Sequence, residues 1–164
     1  MDFFRRSDKH HPTDFEHARV LVPLSGEPMV DDPALKVAVM LLGSRDGAEV
    51  SLLHVIEIPF ERTLDAEDDQ AVSRADAILT RAERLLTEKG VTTRTSTVQA
   101  RAAGPAIVDD ANELGADLIV MGLRYKKRFG GQWDAGRTVP YVMRNSTAPV
   151  WCLRAETKEL AHTP

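Results

Sequence analysis

The chain has 164 residues, of which 43% are hydrophobic and 28% charged, and its formal net charge is −4. That size and mix give one globular domain with a proper core and exclude a chain disordered throughout. The acidic balance argues against generic DNA or RNA binding, and no apolar run approaches the roughly 20 residues that a bilayer span needs.

Residues 1–17 read as a polar tail of mixed charge. They hold no apolar signal-peptide core, so secretion finds no support. Phe3, Phe4, Arg5 and Arg6 are too few for an amphipathic membrane helix, and His10, His11 and His17 lack ordered ligand spacing. Residues 155–164 read as a second tail. The lone Cys152 cannot form an internal disulfide, which fits a reducing cytoplasm.

Between the tails, apolar runs alternate with helical periodicity. Residues 18–24 (ARVLVPL) form a near-continuous apolar run, the pattern of a strand buried on both faces. Ser25, Gly26, Glu27 and Pro28 break it. Asp32 before Pro33 predicts a helix start, a carboxylate cap followed by a proline whose missing N–H is harmless there. Ala34, Val37, Ala38 and Leu41 keep helical spacing up to Gly43.

Residues 50–56 predict the second strand, which Pro59 ends. After an acidic loop, Ala71, Ala75, Ile78, Leu79, Ala82, Leu85 and Leu86 predict a long helix closed by Gly90. Residues 91–99 are rich in threonine with scattered valines, as a strand with one wetter face would be. Gly104 and Pro105 open a helix that carries Ile107, Val108, Ala111 and Leu114 and stops at Gly115. Residues 117–121 (DLIVM) predict a fourth strand. Thr138 is placed to cap a last helix with Pro140 in its first turn, and residues 149–153 give the final strand.

This βαβαβαβαβ order implies parallel strands joined by right-handed crossovers. The expected fold is α/β: an open, doubly wound, five-stranded parallel sheet in the order 3-2-1-4-5, with helices on both faces. A ligand in such a sheet binds at the carboxyl ends of the strands, where the winding reverses. Here the reversal falls between the first and fourth strands. The loops meeting there are Ser25-Gly26 and the stretch from Gly122 to Thr138.

That second stretch carries Arg124, Lys126, Lys127, Arg128 and Arg137, with Asp134 as its acidic residue. A basic loop on an acidic protein suits a small anion better than a long polyanion. The last helix would turn its first backbone N–H groups and its dipole toward the same place. Gly136 permits close backbone approach, Thr138 offers a hydroxyl, and Arg137 a charged fork. The plainer reading leaves Thr138 as a helix cap and the cations as a solvated loop.

Residues 20–24 (VLVPL), 52–55 (LLHV), 115–122 (GADLIVMG) and 148–150 (APV) together resemble the universal stress protein family, with the third run the most specific. The resemblance covers about residues 18–154. It implies a cytoplasmic protein, often a homodimer paired through the last strand, and in many members the binding of ATP or another adenine nucleotide with any magnesium accompanying it. It does not imply efficient catalysis, nucleic-acid binding or membrane association. By the same resemblance, Pro23, Leu24, Ser25, Val55, Met121, Gly122, Arg124, Tyr125, Gly136, Arg137 and Thr138 surround the nucleotide, with the backbone of Val55 against adenine.

The ATP-binding members carry a glycine, two residues, a second glycine, nine residues, then glycine and a hydroxyl residue. Gly122 matches the first glycine, but Tyr125 stands at the second and Gly136 falls one residue late, followed by Arg137 and then Thr138. Ser25 replaces the acidic residue that follows the first strand in the family. Either the pocket takes a nucleotide in an altered way, with Tyr125 stacking and the basic loop on phosphates, or the chain works through protein contacts without one. The clustered cations favour the first. Related ATP-activating enzymes need a Ser-Gly-Gly-rich loop or a His-x-Gly-His motif, and neither is present. His54 reads as a core or strand-end histidine, Cys152 as packing, and Trp133 as either a lid or a surface contact.

Overall fold

A computed structural model describes residues 19–43, 47–65, 68–124, 126–127 and 133–154, with the backbone alone at 126–127 and 133–134. The tails, Tyr125 and Arg128 lie outside the described residues.

The first strand, β1 (Arg19–Leu24), is the centre of the molecule because both its faces are apolar. Val20, Leu21 and Val22 are fully buried. It pairs in parallel with β2 (Glu49–Glu57) on one side, Val20 opposite Val50 and Leu24 opposite His54. On the other side it pairs in parallel with β4 (Leu118–Gly122), Leu21 opposite Ile119. The Thr-rich β3 (Thr92–Ala100) extends the sheet beyond β2 and alternates in exposure, as an edge strand with one wet face does.

The helices α1 (Pro28–Leu42) and α2 (Asp69–Thr87) cover one face. Ala34, Leu35, Ala38, Leu79, Ala82 and Leu86 pack there on Val20, Val22, Val50, Leu52, Leu118 and Val120. On the other face α3 (Ala103–Leu114) and α4 (Thr138–Asn145) set Ile107, Val108, Ala111, Val139 and Val142 against Leu21, Leu53, Ile119 and Met121. The odd and even residues of each strand therefore serve opposite cores. Each fully buried Leu or Ile contributes about 1.5–3 kcal/mol.

The last strand, β7 (Val150–Leu153), pairs with β4 and forms the other edge. The five-stranded parallel sheet thus has the expected 3-2-1-4-5 order, β7 being the fifth strand in place. Between β4 and α4 the chain is not all loop. Short strands β5 (Lys126–Lys127) and β6 (Trp133–Asp134) form an antiparallel ribbon of their own.

Two helix starts differ from expectation. Helix α1 begins at Pro28 rather than after Asp32, with Val30 and Asp31 donating to the Glu27 carbonyl at 2.9 Å. Pro33 lies inside the helix. It deprives only the carbonyl of Met29, one residue into the helix, of a helical donor, and Met29 is 71% exposed. Helix α4 is not capped by Thr138. Arg137 holds the N-cap position with no side-chain bond, and Thr138 is the first helical residue. No described helix is long and apolar enough to cross a membrane.

Candidate functional site

Where β1 ends, the chain must turn at once into α1. Gly26 makes that turn at φ 88°, a left-handed conformation that favours glycine, and a Cβ there would come within 2.7 Å of the Ile78 side chain. The turn is held by a residue that the sequence pattern did not single out. The Asp31 carboxylate accepts from the Ser25 N–H (2.9 Å), the Ser25 hydroxyl (2.8 Å) and the Gly26 N–H (2.8 Å). The Ser25 hydroxyl in turn accepts from the Glu27 N–H at 3.2 Å. Asp31 is only 3% exposed. Burial raises its pKa above the ordinary carboxylate value, and the bonds from Ser25 and Gly26 offset only part of that.

Beside this turn, β4 ends at Gly122. A Cβ at Gly122 would collide with the carbonyl oxygen of Val30 in α1, so the glycine has a packing reason independent of any ligand. The turn into α4 then runs through Gly136, at φ 70° with open space around it. Helix geometry leaves the N–H groups of Thr138 and Val139 without intrahelical acceptors, and Pro140 has no N–H. The first helical bond of α4 is from Tyr141 N–H to the Arg137 carbonyl, at 3.2 Å.

Between these turns lies a cleft of about 700 Å³ at the carboxyl ends of β1, β2 and β4. Pro23, Leu24, Ser25, Val55, Met121, Gly122, Arg124, Gly136, Arg137 and Thr138 all line it, so the structure brings together the residues expected at the site, apart from Tyr125, which lies outside the described residues. Lys126 and Lys127 belong to the ribbon rather than to an extended loop.

The cleft also holds groups that the sequence reading left aside: Glu27, Asp31, Glu57, Arg74 and Ile78. Glu27 forms an ion pair with Arg124, joining the turn after β1 to the segment after β4. The Glu57 carboxylate accepts from Ala103 N–H at 2.8 Å, which occupies the N-terminus of α3. His54 lies inside β2, three residues short of its end, and it also lines the cleft. Its Nδ1 lies 2.9 Å from the Leu24 carbonyl, and donation to that carbonyl makes Nε2 the acceptor in the neutral ring. A helix start read correctly at Pro28 would have put Asp31 in the first turn, beside the chain reversal it ties. That was the available signal.

The cleft therefore has two kinds of lining. One is apolar and includes Pro23, Val55 and Met121. The other offers exposed guanidinium groups of Arg124 and Arg137 beside the uncapped start of α4. An amphipathic molecule with a flat apolar part and an anionic part fits that polarity.

The fold and this crevice define an open α/β protein with a ligand-sized site at the point where its sheet reverses. The chain belongs to the universal stress protein family, whose model matches residues 17–154. No curated protein sequence matches it. The fold is similar to that of the universal stress protein from Archaeoglobus fulgidus in complex with dAMP. That likeness has 21% identity, covers 82% of this chain and 96% of that one, and has a TM-score of 0.66. It is also similar to a universal stress protein in complex with cAMP (19% identity, 85% and 98% covered, TM-score 0.64). A family protein from Arabidopsis thaliana with AMP bound is a third (13% identity, 87% and 94% covered, TM-score 0.63). At these identities the likeness is one of fold.

Proposed function

We propose that this protein binds an adenine nucleotide in the cleft between β1 and β4 and acts as a cytoplasmic regulatory binding protein rather than as an enzyme. The observation that carries this reading is the convergence of an uncapped helix start, Arg124 and Arg137 on a cleft whose lining also includes the apolar Pro23, Val55 and Met121. Adenine would lie on Pro23, Val55 and Met121, and the phosphates at the start of α4. Glu57 already occupies the start of α3, whereas the start of α4 has no side-chain cap. The dAMP, AMP and cAMP carried by proteins of similar fold support an adenine base. Any magnesium would arrive with the phosphates. Among the described residues, no cluster of His, Cys, Asp and Glu could hold a metal alone.

Calorimetric titration with ATP, AMP and cAMP, beside mass spectrometry of what the purified protein carries, tests the reading. Binding that weakens on replacing Arg124 and Arg137 is the expected result. No binding of any of the three at millimolar concentration refutes it.

A homodimer paired through β7 is a second, compatible reading. It is supported by the position of β7 at the sheet edge and by Trp151 standing 42% exposed on it. Sedimentation of the wild type and of Trp151→Ser tests it. A wild-type monomer at all concentrations would refute it.

A further inference from the structure

The ion pair between Glu27 and Arg124 sits where a phosphate would need the same guanidinium. Glu27 comes from the turn after β1 and Arg124 from the segment after β4, so the pair spans the crevice where the sheet reverses. Both side chains are about half exposed, and the Glu27 side chain makes no cap bond to α1. The carboxylate is therefore not needed to hold the helix start. The other carboxylates lining the cleft are committed elsewhere: Asp31 to the Ser25-Gly26 turn and Glu57 to Ala103. Among the described residues lining the cleft, Glu27 is the acidic group paired with one of its arginines, Arg124.

We infer that Glu27 is a selectivity residue, an internal anion that occupies Arg124 and makes the site discriminate against ligands of high phosphate charge. This rests on the proposed nucleotide site and specifies its ligand as a nucleoside monophosphate or a similarly low-charged relative. With Arg124 paired to Glu27, the positive charge left for a ligand is that of Arg137 and the partial charge of the start of α4. That matches a monophosphate, at roughly −2, better than a triphosphate at roughly twice that charge. Repulsion by a fixed carboxylate grows in proportion to the ligand's charge, so it penalises the triphosphate more.

The test is calorimetric titration of the full chain with AMP and ATP, comparing wild type, Glu27→Gln and Glu49→Gln. Glu49 pairs with Arg94 at 3.3 Å at the opposite end of β2, and serves as a carboxylate removed far from the cleft. Glu27→Gln is expected to raise ATP affinity about tenfold and AMP affinity about twofold, with an unchanged unfolding midpoint, while Glu49→Gln leaves the ratio as it was. An unchanged ATP-to-AMP ratio in Glu27→Gln, or an equal change in Glu49→Gln, overturns the role of Glu27 and leaves the nucleotide site standing. Failure of wild type and variants alike to bind either nucleotide overturns both.

Discussion

On the β1–α1 side of the cleft, Ser25 and Gly26 are held by a buried carboxylate, and Gly122 is pressed against the α1 backbone. On the β4–α4 side the turn glycine stands in open space, the helix start is uncapped, and Arg137 is exposed. The first wall satisfies its polar groups inside the protein and so behaves as a frame. The second leaves donors and charge facing outward, where a ligand can supply the missing acceptors. Changes in the first wall should therefore cost folding stability, and changes in the second should cost binding.

The largest expected effect is on the frame. Gly122→Ala forces a methyl group into the Val30 carbonyl, so strand and helix must separate, and the loss should be about 3 kcal/mol. Urea unfolding of the ligand-free protein reads it. A near-neutral result would mean that the glycine serves the ligand rather than the packing.

Asp31→Ala comes next, at about 2 kcal/mol. It strips one acceptor group from three donors, two of them backbone amides. The pH dependence changes as well. Because the folded pKa of Asp31 is raised, its contribution is fully present below the ordinary value of 3.8 and is lost as pH rises through the folded value. Asp68 behaves oppositely. Bonds from the Ala71 N–H and Arg62 lower its pKa, so its contribution is present above 3.8 and is lost as pH falls through the folded value. Stability measured against pH in wild type and Asp31→Ala should differ by the removal of the first trend alone.

On the second wall, Arg137→Gln should weaken nucleotide binding about tenfold while moving stability by less than about 0.5 kcal/mol. Equal losses in both would erase the distinction between frame and ligand wall.

Much of this architecture was legible in the sequence because its strands announce themselves. The apolar runs at 20–24 and 118–121 admit no exposed face, which forces central positions in a covered sheet, and the alternation of β with α then fixes parallel order. The reversal point followed from that order, and with it most of the cleft. What escaped was local competition between signals. Asp32-Pro33 has the form of a helix start, yet Pro28 opens α1 five residues earlier, and Pro33 costs one helical bond, to the carbonyl of the exposed Met29. That error concealed Asp31, since its role depends on which turn of the helix it occupies. Glu57 and Glu27 were hidden for a different reason. Their partners, Ala103 and Arg124, lie far along the chain, and no spacing rule connects them.

The smallest effect tests how finely the frame is tuned. The Ser25 hydroxyl donates one of the bonds that favour the ionised form of Asp31, while the two amides donate the others. Ser25→Ala keeps the amides, so the stability loss should stay at about 1 kcal/mol or below. Loss of the hydroxyl removes a bond that lowers the Asp31 pKa, and burial, which raises it, is unopposed to that extent. The folded pKa of Asp31 must then rise further. The fall in stability that accompanies its ionisation should extend to higher pH in Ser25→Ala than in wild type. Carbon-detected NMR titration of the Asp31 carboxyl reads the shift directly. A downward shift would mean that the hydroxyl was not supporting the charge, and that Ser25 faces the cleft rather than the frame.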